Sequence, residues 1–326
     1  MKILIPDHLY PDCKIEYENV EDGDKIVAYS SKCDFEEISN EVLNTADAIL
    51  AWDKYIYNKE ILDQLKNCKI IVRIGAGVDN FDLEYAKHLN IKVCNTPSYG
   101  IDEVTEHAMA MAFALSRRLM YFHKTVSEGN WLRTALNINR IRGKTFGVVG
   151  CGKIGSAFAI RMRSMGCKVI FYDPYVDSRV SKITSCEQVN SLVDLINISD
   201  VISIHTPLSS TTKNLINKDH LSEFKKGSII INTARGGIVN EQMLAIGLKQ
   251  NLFSGVGLDV LSTEPLSREN PLIEILHSED IEVKSKLLIT PHVAYYSKQS
   301  VEELRTTSTK TASLFIHQGV LLNCVN

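Results

Sequence analysis

Three side chains suited to acid–base and anion chemistry each follow an apolar, strand-like run. Arg235 lies in Ile231-Asn232-Thr233-Ala234-Arg235-Gly236-Gly237. Glu264 lies in Gly257-Leu258-Asp259-Val260-Leu261-Ser262-Thr263-Glu264-Pro265, and His292 in Thr290-Pro291-His292-Val293-Ala294. An arginine offers a planar fork of donors to a carboxylate. An imidazole exchanges a proton near neutral pH, and a carboxylate beside it orients the ring and favours its charged form. Taken singly, each has a plainer reading: an ion-pairing arginine, a solvated turn glutamate, a structural histidine. Their joint position after apolar strands favours chemistry, because parallel α/β sheets take ligands at the carboxyl ends of their strands.

A fourth segment has a different character. The apolar run Phe146-Gly147-Val148-Val149 leads into Gly150-Cys151-Gly152-Lys153-Ile154-Gly155, and a helical stretch follows from Ala157 to Met165. Glycines at this spacing between strand and helix suit a dinucleotide's phosphates. Gly150 permits a tight turn, Gly152 admits the pyrophosphate to the backbone, and Gly155 lets helix and strand pack closely. Lys153 and Ile154 open the helix, whose start carries unpaired amides and partial positive charge. The next strand ends at Asp173, 18 residues beyond the last glycine, where a carboxylate accepts from ribose hydroxyls and repels a 2′-phosphate. That points to NAD as the cofactor. The competing reading is a turn aspartate before Pro174 on a cofactor-free α/β domain.

The surrounding pattern is one of strands alternating with helices. Ile3–Ile5, Ala48–Ala51, Ile70–Ile74 and Lys92–Cys94 read as short buried strands. A second series comprises Thr145–Val149, Lys168–Tyr172, Val201–His205, Ser228–Asn232, Gly255–Leu258 and Leu287–Thr290. Asp102–Arg118 reads as a long helix apolar on most sides, expected to lie buried between two domains. Leu119–Arg142, with Trp131, reads as an irregular arm or surface loop, and His277–Lys286 as a surface loop. Ser300–His317 reads as a final helix. The chain has 326 residues, more than one core usually holds. Its 36 basic and 39 acidic residues give a net charge of −3, which offers no footprint for nucleic acid or an anionic membrane. No apolar run reaches the ~20 residues of a membrane helix, and the start lacks a signal-peptide pattern. The eight cysteines form no C-x-x-C pair, so reduced, mostly buried thiols in a cytoplasmic protein are expected, with no metal site.

These segments together resemble the NAD-dependent D-isomer-specific 2-hydroxyacid dehydrogenase family over nearly the whole chain. The resemblance extends to Arg73-Ile74-Gly75-Ala76-Gly77-Val78-Asp79-Asn80, Val104-Thr105-Glu106-His107 and His205-Thr206-Pro207-Leu208. Within the family the chain is most similar to the branch of C-terminal binding proteins, through Val93-Cys94-Asn95, Pro291–Ser297 and Asn323-Cys324-Val325-Asn326.

The resemblance implies the following. Arg235 clamps a substrate carboxylate, His292 exchanges the proton, and Glu264 orients His292. The Gly75-Ala76-Gly77 loop offers amides to the carboxylate, and Tyr295 contacts the substrate. Thr233, Ala234 and Asp259 lie beside the nicotinamide, and His205, Thr206 and Pro207 beside the ribose and phosphates. Tyr295-Tyr296 stand where the close branch usually has tryptophan, so substrate choice does not carry over.

The expected architecture is α/β. A doubly wound (Rossmann) NAD-binding domain, residues 101–293, is inserted in a smaller flavodoxin-like substrate domain, residues 1–100 and 294–326. Hinges are expected near Gly100 and Ala294. The expected function is interconversion of a 2-keto acid and a D-2-hydroxy acid by a homodimer with small-molecule partners only. An NAD(H)-sensing regulator with little turnover is the alternative.

Overall fold

Runs dense in Ile, Val and Leu become strands buried on both faces, as parallel sheets covered by helices require. The computed structural model describes every residue except 134–137. Five strands, β1 (Lys2–His8), β2 (Lys25–Ser30), β3 (Ala48–Ala51), β4 (Ile70–Arg73) and β5 (Lys92–Cys94), form a sheet in the order β2-β1-β3-β4-β5. Seven more form a second sheet: β6 (Thr145–Val149), β7 (Lys168–Tyr172), β8 (Glu187–Gln188), β9 (Val201–Ile204), β10 (Ser228–Asn232), β11 (Phe253–Leu258) and β12 (Leu287–Ile289). Their order is β12-β11-β10-β9-β6-β7-β8. All the pairings among these twelve strands are parallel. The chain divides into two compact units, Met1–Gly100 with Tyr296–Asn326, and Ile101–Tyr295. The first holds the five-stranded sheet and the second the seven-stranded one.

Two strands carry no clear signal in the sequence, and both are edge strands. In β2 only Ile26 and Tyr29 are even partly buried, so its apolar density is low. β8 is two residues long. The helix expected over Asp102–Arg118 spans Ile101–Ser116, and its buried Ala108, Met111, Ala112 and Leu115 pack with the cluster around Phe146, Val148, Ile229 and Ile231.

Two expected loops are partly helical. The first nine residues of the Leu119–Arg142 stretch form the helix Leu119–Ser127, with Tyr121 and Thr125 buried one turn apart. Arg118 starts it in a left-handed conformation, and its guanidinium donates to Ser254 O (3.2 Å), Glu282 O (2.9 Å) and Ser285 Oγ (3.0 Å). Trp131 is exposed, and residues 134–137 of that stretch lie outside the described residues. Likewise His277–Lys286 holds the short helix Ile281–Lys284, capped by Asp280, and ends in buried Ser285 and Lys286.

The final helix runs from Lys298 to Gln318, capped by Ser297. Its buried Arg305 pairs bidentately with buried Glu16 at 2.7 and 2.6 Å. Burial pushes the Glu16 carboxyl up, but hydrogen bonds with His8 and Arg305 and the charge of Arg305 outweigh it and hold the group down at about 2. Among the described residues, no helix is long and apolar enough to cross a membrane.

Candidate active site

Register across the seven-stranded sheet lines up the candidate residues. Val149 pairs with Tyr172 and Ile204, Ile204 with Asn232, Asn232 with Leu258, and Leu258 with Ile289. One residue further along, the six strands reach Gly150, Asp173, His205, Thr233, Asp259 and Thr290. Strand order reverses at β6, with β7 on one side and β9 on the other. Such a switch point opens a crevice beyond the carboxyl ends of the strands.

The glycines of the first loop each have a separate steric duty. Gly150 turns with φ of +87°, and a Cβ there would stand 2.8 Å from the backbone of His205 and Thr206. A Cβ on Gly155 would stand 2.0 Å from the Gly150 carbonyl oxygen, so strand end and helix can approach only with glycine there. Gly152 has open space where a Cβ would be. It precedes the helix Lys153–Ser164, which has no side-chain cap, so Lys153 and Ile154 begin a helix whose positive end is not covered by a capping oxygen.

Asp173 ties β7 to this loop by accepting from Cys151 N (2.8 Å) and Tyr175 N (2.9 Å). His205 packs 5.1 Å from the Phe158 ring with Nε2 2.8 Å from Ser203 Oγ. Burial pushes His205 down to about 3, so it stays neutral. Thr206 and Pro207 continue from it, and the Pro207 carbonyl accepts from Thr212 Oγ1 at 2.6 Å. The buried Thr233 hydroxyl has no hydrogen-bond partner among the described residues. An uncovered helix start, an unfilled space at Gly152 and an orphaned hydroxyl on the same row fit a dinucleotide.

The second half of the row is held by side chains. Asp259, almost fully buried, accepts from Thr290 Oγ1 (2.5 Å), Val293 N (2.9 Å) and Ala294 N (2.8 Å). This fixes the turn carrying His292, which sits at φ of +55° with its N–H donating to Asp259 O at 2.8 Å. The His292 Nδ1 lies 2.7 Å from Glu264 Oε2, and Glu264 Oε1 accepts from Leu261 N at 2.9 Å. Burial pushes the Glu264 carboxyl up. The hydrogen bonds from His292 and Leu261, with the charges of His292 and Arg235, outweigh it and hold the group below the usual carboxylate range.

The turn that carries Arg235 packs backbone to backbone against the loop that leads to Glu264. A Cβ at Gly236 would stand 1.8 Å from the Leu261 carbonyl oxygen. The Asn232 side chain shapes the turn, accepting from Ala234 N (3.0 Å) and donating to Arg235 O (2.8 Å). Ala234 O in turn accepts from Arg235 Nη1 at 2.8 Å. Tyr295, half-buried, follows the His292 turn.

The remaining candidates lie in the other unit, after β4. Gly75 N donates to Thr96 Oγ1 (2.8 Å) and to Arg73 O (2.9 Å). Its amide is therefore engaged within the protein. A Cβ at Gly75 would stand 2.7 Å from the Arg73 guanidinium.

Sequence reasoning did not single out the supporting residues Asn232, Gly236, Thr290, Thr96 and His107. His107 Nε2 lies 3.0 Å from Thr290 Oγ1 and 3.7 Å from Asp259 Oδ1. An asparagine closing a strand two residues before an amide it can accept from is an Asx-turn signal, so Asn232 was findable. The others depend on contacts across distant segments.

Comparison with known proteins gives the chain a family and a matching fold. The family described as D-isomer specific 2-hydroxyacid dehydrogenase, NAD binding domain, matches residues 109–294. The chain is 31% identical to C-terminal-binding protein 1 of Caenorhabditis elegans, over 97% of this chain and 44% of that protein. It is 34% identical to D-3-phosphoglycerate dehydrogenase of Mycobacterium bovis, over 86% of this chain and 51% of that one. The chain thus spans about half the length of these relatives. Its fold matches the crystal structure of D-lactate dehydrogenase from Aquifex aeolicus complexed with NAD and lactic acid. The TM-score is 0.85 at 27% identity, covering 99% of this chain and 98% of the other.

Proposed function

The chain belongs to the D-isomer specific 2-hydroxyacid dehydrogenase family, and on that premise we propose that it is an NAD-dependent oxidoreductase interconverting a 2-keto acid and a D-2-hydroxy acid. The observation that carries the proposal is the His292–Glu264 pair at 2.7 Å, with the charge of Arg235 acting on Glu264. NAD, when bound, supplies hydride exchange at its nicotinamide ring. Gly150, Gly152, Lys153, Ile154 and Gly155 would hold its phosphates. Asp173 would bind the adenine ribose, His205–Pro207 the ribose and phosphates, and Thr233, Ala234 and Asp259 the nicotinamide.

The chain's own residues then have distinct tasks. Arg235 clamps the carboxylate and polarises the neighbouring carbonyl oxygen. His292 gives its Nε2 proton to that oxygen in reduction and takes it back in oxidation, because Nδ1 is engaged by Glu264. Glu264 stays ionised and steadies the charged ring. Asp259 acts through the His292 turn as well. In the other unit, Ala76 and Gly77 are candidate donors to a carboxylate. A homodimer built on the Ile101–Tyr295 unit and a cytoplasmic location complete the proposal.

The test is NADH oxidation with a panel of 2-keto acids, run with the natural protein and with His292→Ala. At least one acid should be reduced by the natural protein at a rate on the order of 10³-fold above the variant. If none is, while NADH still binds, the enzyme reading fails and an NAD(H)-sensing role replaces it.

A further inference from the structure

The last residues of the chain run antiparallel to β5. Asn95 N donates to Asn323 O at 3.2 Å and Val325 N to Val93 O at 2.9 Å. Asn326 closes the end, its Oδ1 accepting from Val93 N (2.9 Å) and its Nδ2 donating to Ile91 O (2.8 Å). Between these bonds Cys94 and Cys324 stand directly opposite one another.

The hydrogen bonds flank this pair and do not join it, which makes it the non-hydrogen-bonded type of antiparallel pair. Such pairs have Cα atoms about 4.5 Å apart and side chains in close approach, within the ~4.4–6.8 Å that a disulfide spans. Both residues are free thiols. They differ in access: Cys94 is fully buried in β5, whereas Cys324 is partly exposed. Burial first, and then the neighbouring Cys324 thiol, push Cys94 up to about 12. Of the two, Cys324 is therefore the one that meets a reagent from solvent, and Cys94 is held in reserve behind it.

We propose that Cys94 and Cys324 form a thiol–disulfide exchange site whose oxidant is a small-molecule disulfide of the glutathione type. The Cys324 thiol loses its proton and attacks one sulfur of the oxidant. The S–S bond breaks, and one small thiolate leaves and takes up that proton. The Cys94 thiol then attacks the Cys324 sulfur, expels the second small thiol with the Cys94 proton, and closes the protein disulfide. The two cysteines are oxidised by two electrons and the small disulfide is reduced to two thiols. The product fastens the tail covalently to β5, two residues before Thr96, whose hydroxyl accepts from Gly75 N. Oxidation therefore stiffens the strand that supports the Gly75 turn. This inference does not depend on the dehydrogenase reading.

The test incubates the full chain, natively folded, with excess oxidised glutathione. Remaining thiols are blocked and the digest is analysed by mass. The natural protein should yield a peptide joining Cys94 to Cys324, two hydrogens lighter than the separate thiols and reopened by dithiothreitol. Cys324→Ser should lose the link and leave Cys94 unmodified. Cys94→Ser should stop at a glutathione adduct on Cys324. Three results would overturn the proposal: a glutathione adduct persisting on Cys324 of the natural protein, no change at either residue, or bridges elsewhere without this one. Because Cys324→Ser alters a partly exposed residue, it keeps the test decisive even if the buried substitution unfolds the chain.

Discussion

The two halves of the strand-end row are built on opposite logic. Around β6, β7 and β9 the groups, the carboxylate of Asp173 apart, are backbone or neutral: glycines that a Cβ would disrupt, an uncapped helix start, and a histidine held neutral by burial. Around β10, β11 and β12 the groups are charged side chains steadied by other side chains: Arg235 beside Glu264, Glu264 against His292, Asp259 gripping the turn below. A dinucleotide is bound by shape and by fixed dipoles, which suits the first half. A proton and a carboxylate are handled by groups that gain and lose charge, which suits the second. Loss of Arg235 should therefore spare cofactor binding, and loss of the glycine loop should weaken it.

The largest expected effect is on the charged half. Arg235→Ala should lower kcat/KM by about 10³-fold, on the order of 4 kcal/mol of transition-state binding, with NADH affinity changed by less than about threefold. Gly155→Ala should do the reverse at the other end. Its methyl meets the Gly150 carbonyl at 2.0 Å, so NADH affinity should fall by about tenfold or more and stability by about 1–3 kcal/mol. Initial rates and fluorescence titration of both variants check the separation; equal losses in both quantities would break it.

A smaller effect tests the boundary of the cofactor half. Asp173 accepts from one amide of the glycine loop and one of its own turn. Replacing it with Ala should weaken NADH binding and improve NADPH relative to NADH by about tenfold, since a repelling charge is lost. NADPH binding equal to NADH in the natural protein would contradict the assignment. Smaller still is Thr290→Val, which removes one donor to Asp259 and the contact to His107. It should lower kcat about threefold to tenfold and leave NADH affinity alone.

The sequence made the first half more legible than the second. Glycine spacing, the strand before it and the helix after it are local, and the strands Thr145–Val149, Lys168–Tyr172 and Ser228–Asn232 have the expected bounds because each is a dense run of β-branched and aromatic residues. Arg235, Glu264 and His292 were visible as strand-end residues, but what joins them was not. Gly236 against Leu261, and Thr290 against His107 and Asp259, are contacts between residues 25 to 183 apart in the chain, which no local pattern encodes. The Gly75 turn shows the same limit, since the engagement of its amide by Thr96 follows only from β4 and β5 lying side by side. Helices within Leu119–Ser127 and Ile281–Lys284 were missed because the first has no capping side chain and buries only Tyr121 and Thr125, and the second is a single turn.

The smallest effect concerns pH and stability. His205 is held at about 3 in the folded chain against an ordinary value of 6.5, so the unfolded chain takes up the proton first. The stability contributed by the neutral, buried ring is present above about pH 6.5 and is lost progressively as pH falls toward 3. Denaturation midpoints of the natural protein and of His205→Gln should run parallel above pH 7 and converge below pH 6.5. A difference independent of pH would show that the ring titrates normally.

The most direct test of the two halves as one site is the fate of the transferred hydrogen. NADH carrying deuterium at the transferable position of the nicotinamide, mixed with a 2-keto acid that supports turnover, should give a 2-hydroxy acid labelled at carbon 2 and of D configuration. An unlabelled product, or one of L configuration, would contradict the assignment of Arg235, Glu264 and His292 to the cofactor bound by the Gly150 loop.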